Sequence, residues 1–239
     1  MTCLGDIDVT CALCGHRSRQ TCVLSTHVFG SPDLDLRSPA GHRSTLRLAV
    51  QECPTCGYVA PAITEGDAAA RESVETDAYE TLRFGPLGET LAGRFLRAAL
   101  IARHRGDMGQ AGEMTLCAAW TADDDGDDDQ ARAWRSDAAN LIGGALETMD
   151  PDAEATDHVA TRLVDVLRRA GRFDHAKGLA DRLLTRDLDP VLAAVLAFER
   201  QAAEAGDTAL YTVAQAAAAP HGAGTPDVQE DAMRAGLSP

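Results

Sequence analysis

Apolar positions follow two different rhythms along the chain. In residues 1–64 they form short alternating runs interrupted by the turn clusters GSPD, SPAGHR and CPTCG. STLRLAVQEC places Leu46, Leu48 and Val50 on one face of an extended segment, and TCVLSTHVF is a second β-like run. After Thr64 the period changes to that of a helix. Leu91, Phe95, Ala98 and Ala102 share a helical face, as do Val159, Leu163, Val166 and Ala170, then Phe173, Ala176, Leu179 and Leu183, then Val191, Val195, Phe198 and Ala202. Asp150-Pro151 and Asp189-Pro190 read as helix starts, an acidic cap followed by proline at the first helical position. The pattern predicts an α+β chain that is mainly α: a small β module over residues 1–64, about seven or eight helices over residues 65–219, and a mobile tail over residues 220–239 rich in proline and glycine.

The helical turns recur. RHRGDMGQA, RRAGRFDHA and AEAGDTALY each set a glycine at a helix end, where a left-handed cap is needed, and small residues follow where a second helix must approach the first. Gly171 and Gly206 are 35 residues apart and Gly106 and Gly171 are 65 apart, close to one and two periods of a tetratricopeptide helix pair of about 34 residues. Val164 and Tyr211 depart from the small residues that pattern prefers. Divergent tetratricopeptide-like repeats and a generic bundle of α-hairpins both remain open.

Candidate chemistry sits in the first segment. CALCG (Cys11, Cys14) and CPTCG (Cys53, Cys56) are two C-x-x-C-G knuckles of one design. Two residues between thiolates let a tight turn aim both sulfurs at one ion, and the glycine can take the positive φ that turns amides toward sulfur. Four thiolates close a tetrahedral site, which predicts a structural Zn2+; iron in the same S4 geometry and a pair of disulfides are the rivals. Cys3, Cys22, His16 and His42 lack a partner at knuckle spacing, so a buried thiol or exposed imidazole is expected of them. A segment with few large apolar side chains buries too little to fold well alone, and ligation supplies what such a core lacks.

Two acidic stretches invite a cation reading. Asp33 and Asp35 in FGSPDLDLRSP share one side of an extended chain near Arg37, and read more simply as a proline-bounded surface loop. ADDDGDDDQ would place Thr121 first and Arg132 last in a calcium loop, which fits no EF-hand, so it reads as a solvated loop capping the next helix. The phosphate-binding, serine-hydrolase, zinc-peptidase and dinucleotide signatures G-x-x-x-x-G-K-[ST], G-x-S-x-G, H-E-x-x-H and G-x-G-x-x-G are not present.

Composition sharpens the choice among functions. The formal net charge is −15 over 239 residues, yet residues 1–66 hold five arginines against six acids, so the excess lies in the helical part. An acidic helical body repels phosphate backbones, which makes nucleic acid an unlikely partner for it. The opening MTCLGDIDVTC lacks the basic start and apolar run of an export signal, and no stretch is long enough to span a membrane, so a cytoplasmic location and reduced thiols are expected.

With the knuckles, GSPDLDLR, FLRAALIARHRGD and LCAAWTADDDG in view, residues 8–135 resemble an uncharacterised bacterial family in which a paired-knuckle zinc-ribbon-like domain precedes tetratricopeptide-like helices. That resemblance implies zinc at Cys11, Cys14, Cys53 and Cys56 and implies no activity. The expectation is a non-enzymatic zinc-binding scaffold for a protein or peptide. The alternatives are a thiol-redox or zinc-release sensor using Cys22 or Cys3, and a nucleic-acid-associated ribbon using Arg17, Arg19, Arg37, Arg43 and Arg47.

Overall fold

The structure, a computed structural model, describes residues 2–219; the expected mobile tail lies outside the described residues. Strand β1 (Thr2–Thr10) pairs antiparallel with β2 (Arg17–Thr26), and the short strands β3 (Gln51–Glu52) and β4 (Val59–Ala60) form a second antiparallel pair. Each hairpin closes over one knuckle. The run around Leu46, Leu48 and Val50 is not a strand: Ala40–Leu48 winds into a 3₁₀ segment, with Ala49 closing its last turn, and pairing is confined to Gln51 and Glu52. A 3₁₀ turn puts every third residue on one side, so Leu46 reaches the helical core while Leu48 does not share its face.

Nine helices follow among the described residues, one more than the upper expectation. They are α1 (Ala68–Val74), α2 (Asp77–Phe84), α3 (Leu91–His104), α4 (Met108–Asp125), α5 (Asp128–Leu146), α6 (Glu154–Arg169), α7 (Phe173–Leu183), α8 (Pro190–Glu204) and α9 (Val213–Ala218). The extra ones are short pieces such as α1, whose single apolar turn gives little periodic signal. Side-chain caps start most of them: Asp67, Thr76, Thr90, Asp107, Asp127, Asp189 and Thr212 each accept a first-turn amide. Asp189-Pro190 opens α8 as expected, whereas Asp150-Pro151 lies in a turn and α6 begins at Glu154. Gly106, Gly171 and Gly206 all take positive φ, 79°, 74° and 68°, ending α3, α6 and α8.

From α3 onward each helix packs against its neighbours in the chain, and α6 also meets α8. The faces led by Leu91, Val159 and Phe173 turn toward one core with Leu116, Trp120, Ile142, Val164 and Leu196, whereas the fourth departs from expectation: Val191 is exposed and Val195 and Phe198 pack in a separate small cluster. Alanines 111, 118, 119, 138 and 139 are buried where α4 crosses α5, and small side chains let those backbones approach. A separate core forms where the hairpins meet α1–α3, from Val9, Tyr58, Ile63, Ala70, Tyr79 and Ile101 around the cysteines.

Candidate metal centre

The two knuckles are superimposable in their bonding. Gly15 N–H donates to Cys11 O and Cys11 N–H to His16 O; Gly57 N–H donates to Cys53 O and Cys53 N–H to Tyr58 O, each at 2.9 Å. Both turns depend on glycine in the left-handed region, with φ of 73° at Gly15 and 71° at Gly57.

These turns bring four sulfurs together. Cys11 Sγ lies 3.7 Å from Cys56 Sγ, Cys14 Sγ lies 3.5 Å from Cys53 Sγ, and all four fall within 4.8 Å of one another. A tetrahedral ion with metal–sulfur bonds of about 2.3 Å sets sulfurs about 3.8 Å apart, so the spacing suits a cation at the centre. A disulfide needs about 2.0 Å, and the closest pairs cross between knuckles. The four cysteines form a group that can hold a metal ion.

Electrostatics divides the ligands. A backbone hydrogen bond from His16 lowers the Cys14 thiol to about 7, and its sulfur faces solvent. Burial raises the thiols of Cys53 and Cys56. Four contacting sulfurs cannot all shed protons without a positive charge among them, so a divalent cation is what would make the cluster fully anionic.

The helices hold the second knuckle from behind. Arg83 on α2 donates to the carbonyls of Cys56 (2.7 Å) and Thr55 (3.2 Å), and Tyr79 Oη donates to Gly57 O (2.8 Å) while accepting from Val59 N–H. Arg97, fully buried on α3, pairs with Glu52 at 2.7 Å and reaches Gly57 O at 3.3 Å. A side chain at Gly57 would put its Cβ 2.3 Å from Arg83 Nε. The first knuckle is tied more lightly, by Ala12 N–H to Ile63 O and by Arg71 to Leu13 O.

The other sequence candidates lie elsewhere. Cys22 pairs with Gly5 on the hairpin, six residues from Cys11 along β1 and therefore about 20 Å away; Cys3 is farther. His16 is exposed, but His42 is buried, against expectation, because the 3₁₀ segment folds it inward. Of the arginines in the nucleic-acid reading, Arg37 is buried and Arg43 is bound to Asp33 at 2.6 Å, leaving Arg17, Arg19 and Arg47 exposed.

The spacer between the knuckles is the largest departure from expectation. Asp33, Asp35 and Arg37 are 2%, 0% and 2% exposed, so they do not form a surface loop. Leu34 N–H donates to Tyr211 O and Val213 N–H to Pro32 O, and Leu34 packs on Val195 and Ala216. Asp35 accepts from Trp120 Nε1 at 2.8 Å and from Arg169 at 3.2 Å, and pairs with Arg135 at 3.6 Å. Arg37 pairs with Asp124 at 2.5 Å and Asp123 at 3.8 Å, and Asp123 also binds Arg135 and Arg169. Three acids and three arginines thus balance where α4, α5 and α6 converge on the spacer. The ADDDGDDDQ run is a solvated cap only in its second half: Asp127 caps α5, while Asp123, in the last turn of α4, belongs to this network. Sequence reasoning quoted both partners, GSPDLDLR and AAWTADDDG, without joining them.

Among the described residues no helix is long and apolar enough to cross a membrane. A scan against family models, a search of curated proteins and a search of solved structures give no match to this chain.

Proposed function

We propose that the chain is a structural zinc protein, with Zn2+ held by Cys11, Cys14, Cys53 and Cys56, and that it serves as a non-enzymatic scaffold for a protein or peptide in the cytoplasm. The tetrahedral spacing of four sulfurs carries the metal assignment. A four-thiolate site leaves no open position for water, and the knuckle carbonyls are occupied by Arg83, Tyr79 and Arg97, so the ion's role is to fasten the hairpins to the helices. In this reading the helices from α3 to α8 act as tetratricopeptide-like hairpins whose acidic surface favours a basic or amphipathic segment over nucleic acid. Exposed Leu4, Ile7, Leu24, Val28 and Phe29 on and beside the β1–β2 hairpin support an interaction role, because several large apolar side chains left in solvent along one element are a feature of contact surfaces.

Metal analysis of the untagged full chain tests the centre: about one zinc per chain is expected, and absence of both zinc and iron would overturn it. Affinity capture with the full chain, at low and high salt, tests the scaffold. Salt-sensitive protein partners are expected, and recovery of nucleic acid alone would reverse the reading.

A further inference from the structure

A cavity of about 240 Å³ lies between the 3₁₀ segment, β2 and α4. Leu46, Leu48, Val23 and the ring of Trp120 make much of its wall, and Arg37, Ser38, His42 and Arg43 supply polar groups. It is smaller than the roughly 300–1,000 Å³ of drug-sized sites and larger than the about 150 Å³ that takes a benzene ring. That volume suits a ring or short chain of about six carbons with one small polar group.

Two of its lining side chains are incompletely satisfied. His42 is 8% exposed and its Nδ1 is buried with no hydrogen-bond partner. Arg37 is 2% exposed; its terminal nitrogens face Asp123 and Asp124, but its Nε is buried and unpartnered. A buried donor without an acceptor is costly, and in folded proteins such a group is usually met by a ligand or ordered water. Apart from the Ser38 hydroxyl, the other polar side chains here have partners. Trp120 Nε1 binds Asp35, Thr45 Oγ1 donates to His42 O, and Arg43 binds Asp33 and Ser38 O. The acids bonded to wall side chains, Asp33, Asp35, Asp123 and Asp124, are each paired with an arginine.

We propose that this cavity is a binding site for a small amphipathic carboxylate, whose oxygens accept from Arg37 Nε–H and from His42 in its Nδ1–H tautomer while its apolar body lies against Trp120, Leu46 and Leu48. A carboxylate fits better than a neutral amide because both buried unpartnered positions can serve as donors, one is a guanidinium, and the Ser38 hydroxyl can donate as well.

Benzoate and hexanoate, with benzamide as the neutral counterpart, are titrated into the metal-loaded full chain. Trp120 fluorescence in a Trp134→Phe background reports binding. A saturable response to a carboxylate is expected, with benzamide and the His42→Phe variant each at least about tenfold weaker. Ala49→Phe at the rim should also weaken binding, and it remains informative if His42→Phe fails to fold. No saturable response to either carboxylate would mean that solvent fills the cavity, and would overturn the proposal. So would equal binding of benzamide, or unchanged affinity in folded variants at both positions.

Discussion

The knuckles and the spacer joining them are adjacent in the chain and are held by opposite means. Within each knuckle the turn is closed by backbone bonds spanning five residues or fewer, Cys11 to His16 and Cys53 to Tyr58. The spacer is held by partners far away: Asp35 meets Trp120 at a separation of 85 residues and Arg169 at 134. A local motif carries its own geometry, so it can be recognised in isolation. A buried charge needs compensation from wherever the fold brings it, so its surroundings give no warning.

The sharpest way to break this contrast is to remove a ligand. Cys53→Ser should abolish stoichiometric metal and destabilise the protein by more than about 5 kcal/mol, since structural zinc contributes on the order of 10 kcal/mol in small domains. The core around the sulfurs includes Tyr79 and Ile101, so the loss should reach α1–α3. Hydrogen exchange should show those helices opening while α6–α8 stay protected. Full protection of α2 in metal-free protein would show that the helices do not depend on the centre.

Asp35→Ala attacks the other region. It leaves Arg37, Arg135 and Arg169 facing only Asp123 and Asp124 and takes the acceptor from Trp120 Nε1, and removing one partner of a buried network costs about 3–5 kcal/mol. Metal content should be unchanged while the urea midpoint falls. Loss of zinc in this variant would show that spacer and knuckles are one cooperative unit.

Glycine substitutions give a finer comparison between the two knuckles. Gly15→Ala meets no atom within 4 Å and carries only the left-handed strain, about 1–2 kcal/mol. Gly57→Ala carries that strain and also collides with Arg83, so its melting temperature should fall further. Combining it with Arg83→Ala should recover part of the difference; identical losses at both glycines would contradict the asymmetric support from α2.

The smallest expected effect is a pH slope from a third buried cluster. Arg168 lies between Asp165 and Glu199, bonded to each at 2.6 Å, and one guanidinium compensates only one carboxylate. Burial, with the neighbouring acid, raises both carboxyls above their ordinary range. The folded state therefore keeps a proton that the unfolded chain releases near pH 4. Stability from this site is present below that pH and declines as pH rises toward the raised folded values. Glu199→Gln should flatten the slope in pH-dependent urea melts; an unchanged slope would place the proton elsewhere.

Much of this was legible beforehand, and the failures have a common cause. The helical faces led by Phe95, Leu163 and Leu179 turn to one core because a 3.6-residue period depends only on neighbouring residues, while that of Val195 meets the smaller cluster of Leu34 and Ala216 and leaves Val191 exposed. The run from Leu46 to Val50 alternates like a strand but is a 3₁₀ segment; three apolar residues at spacing two weigh little against the packing of Leu46 on the helical core and of His42 beneath it. Asp33 and Asp35 sit among turn formers, and nothing nearby shows that Trp120, Arg135 and Arg169 will gather around them.

By itself, then, the sequence determined the elements whose cause is short-ranged: the paired knuckles with Gly15 and Gly57 in the left-handed region, the helix caps at Asp127 and Asp189, and the glycine ends of α3, α6 and α8. Only the tertiary structure decided that the expected four-sulfur cluster packs against α2 and α3, that the spacer is buried among α4, α5 and α6, and that His42 and Arg37 border one cavity. The physical reason is range. A turn is selected by a handful of dihedral angles in successive residues, whereas charge compensation and cavity walls are selected by which distant side chains the packed helices bring within a few ångströms.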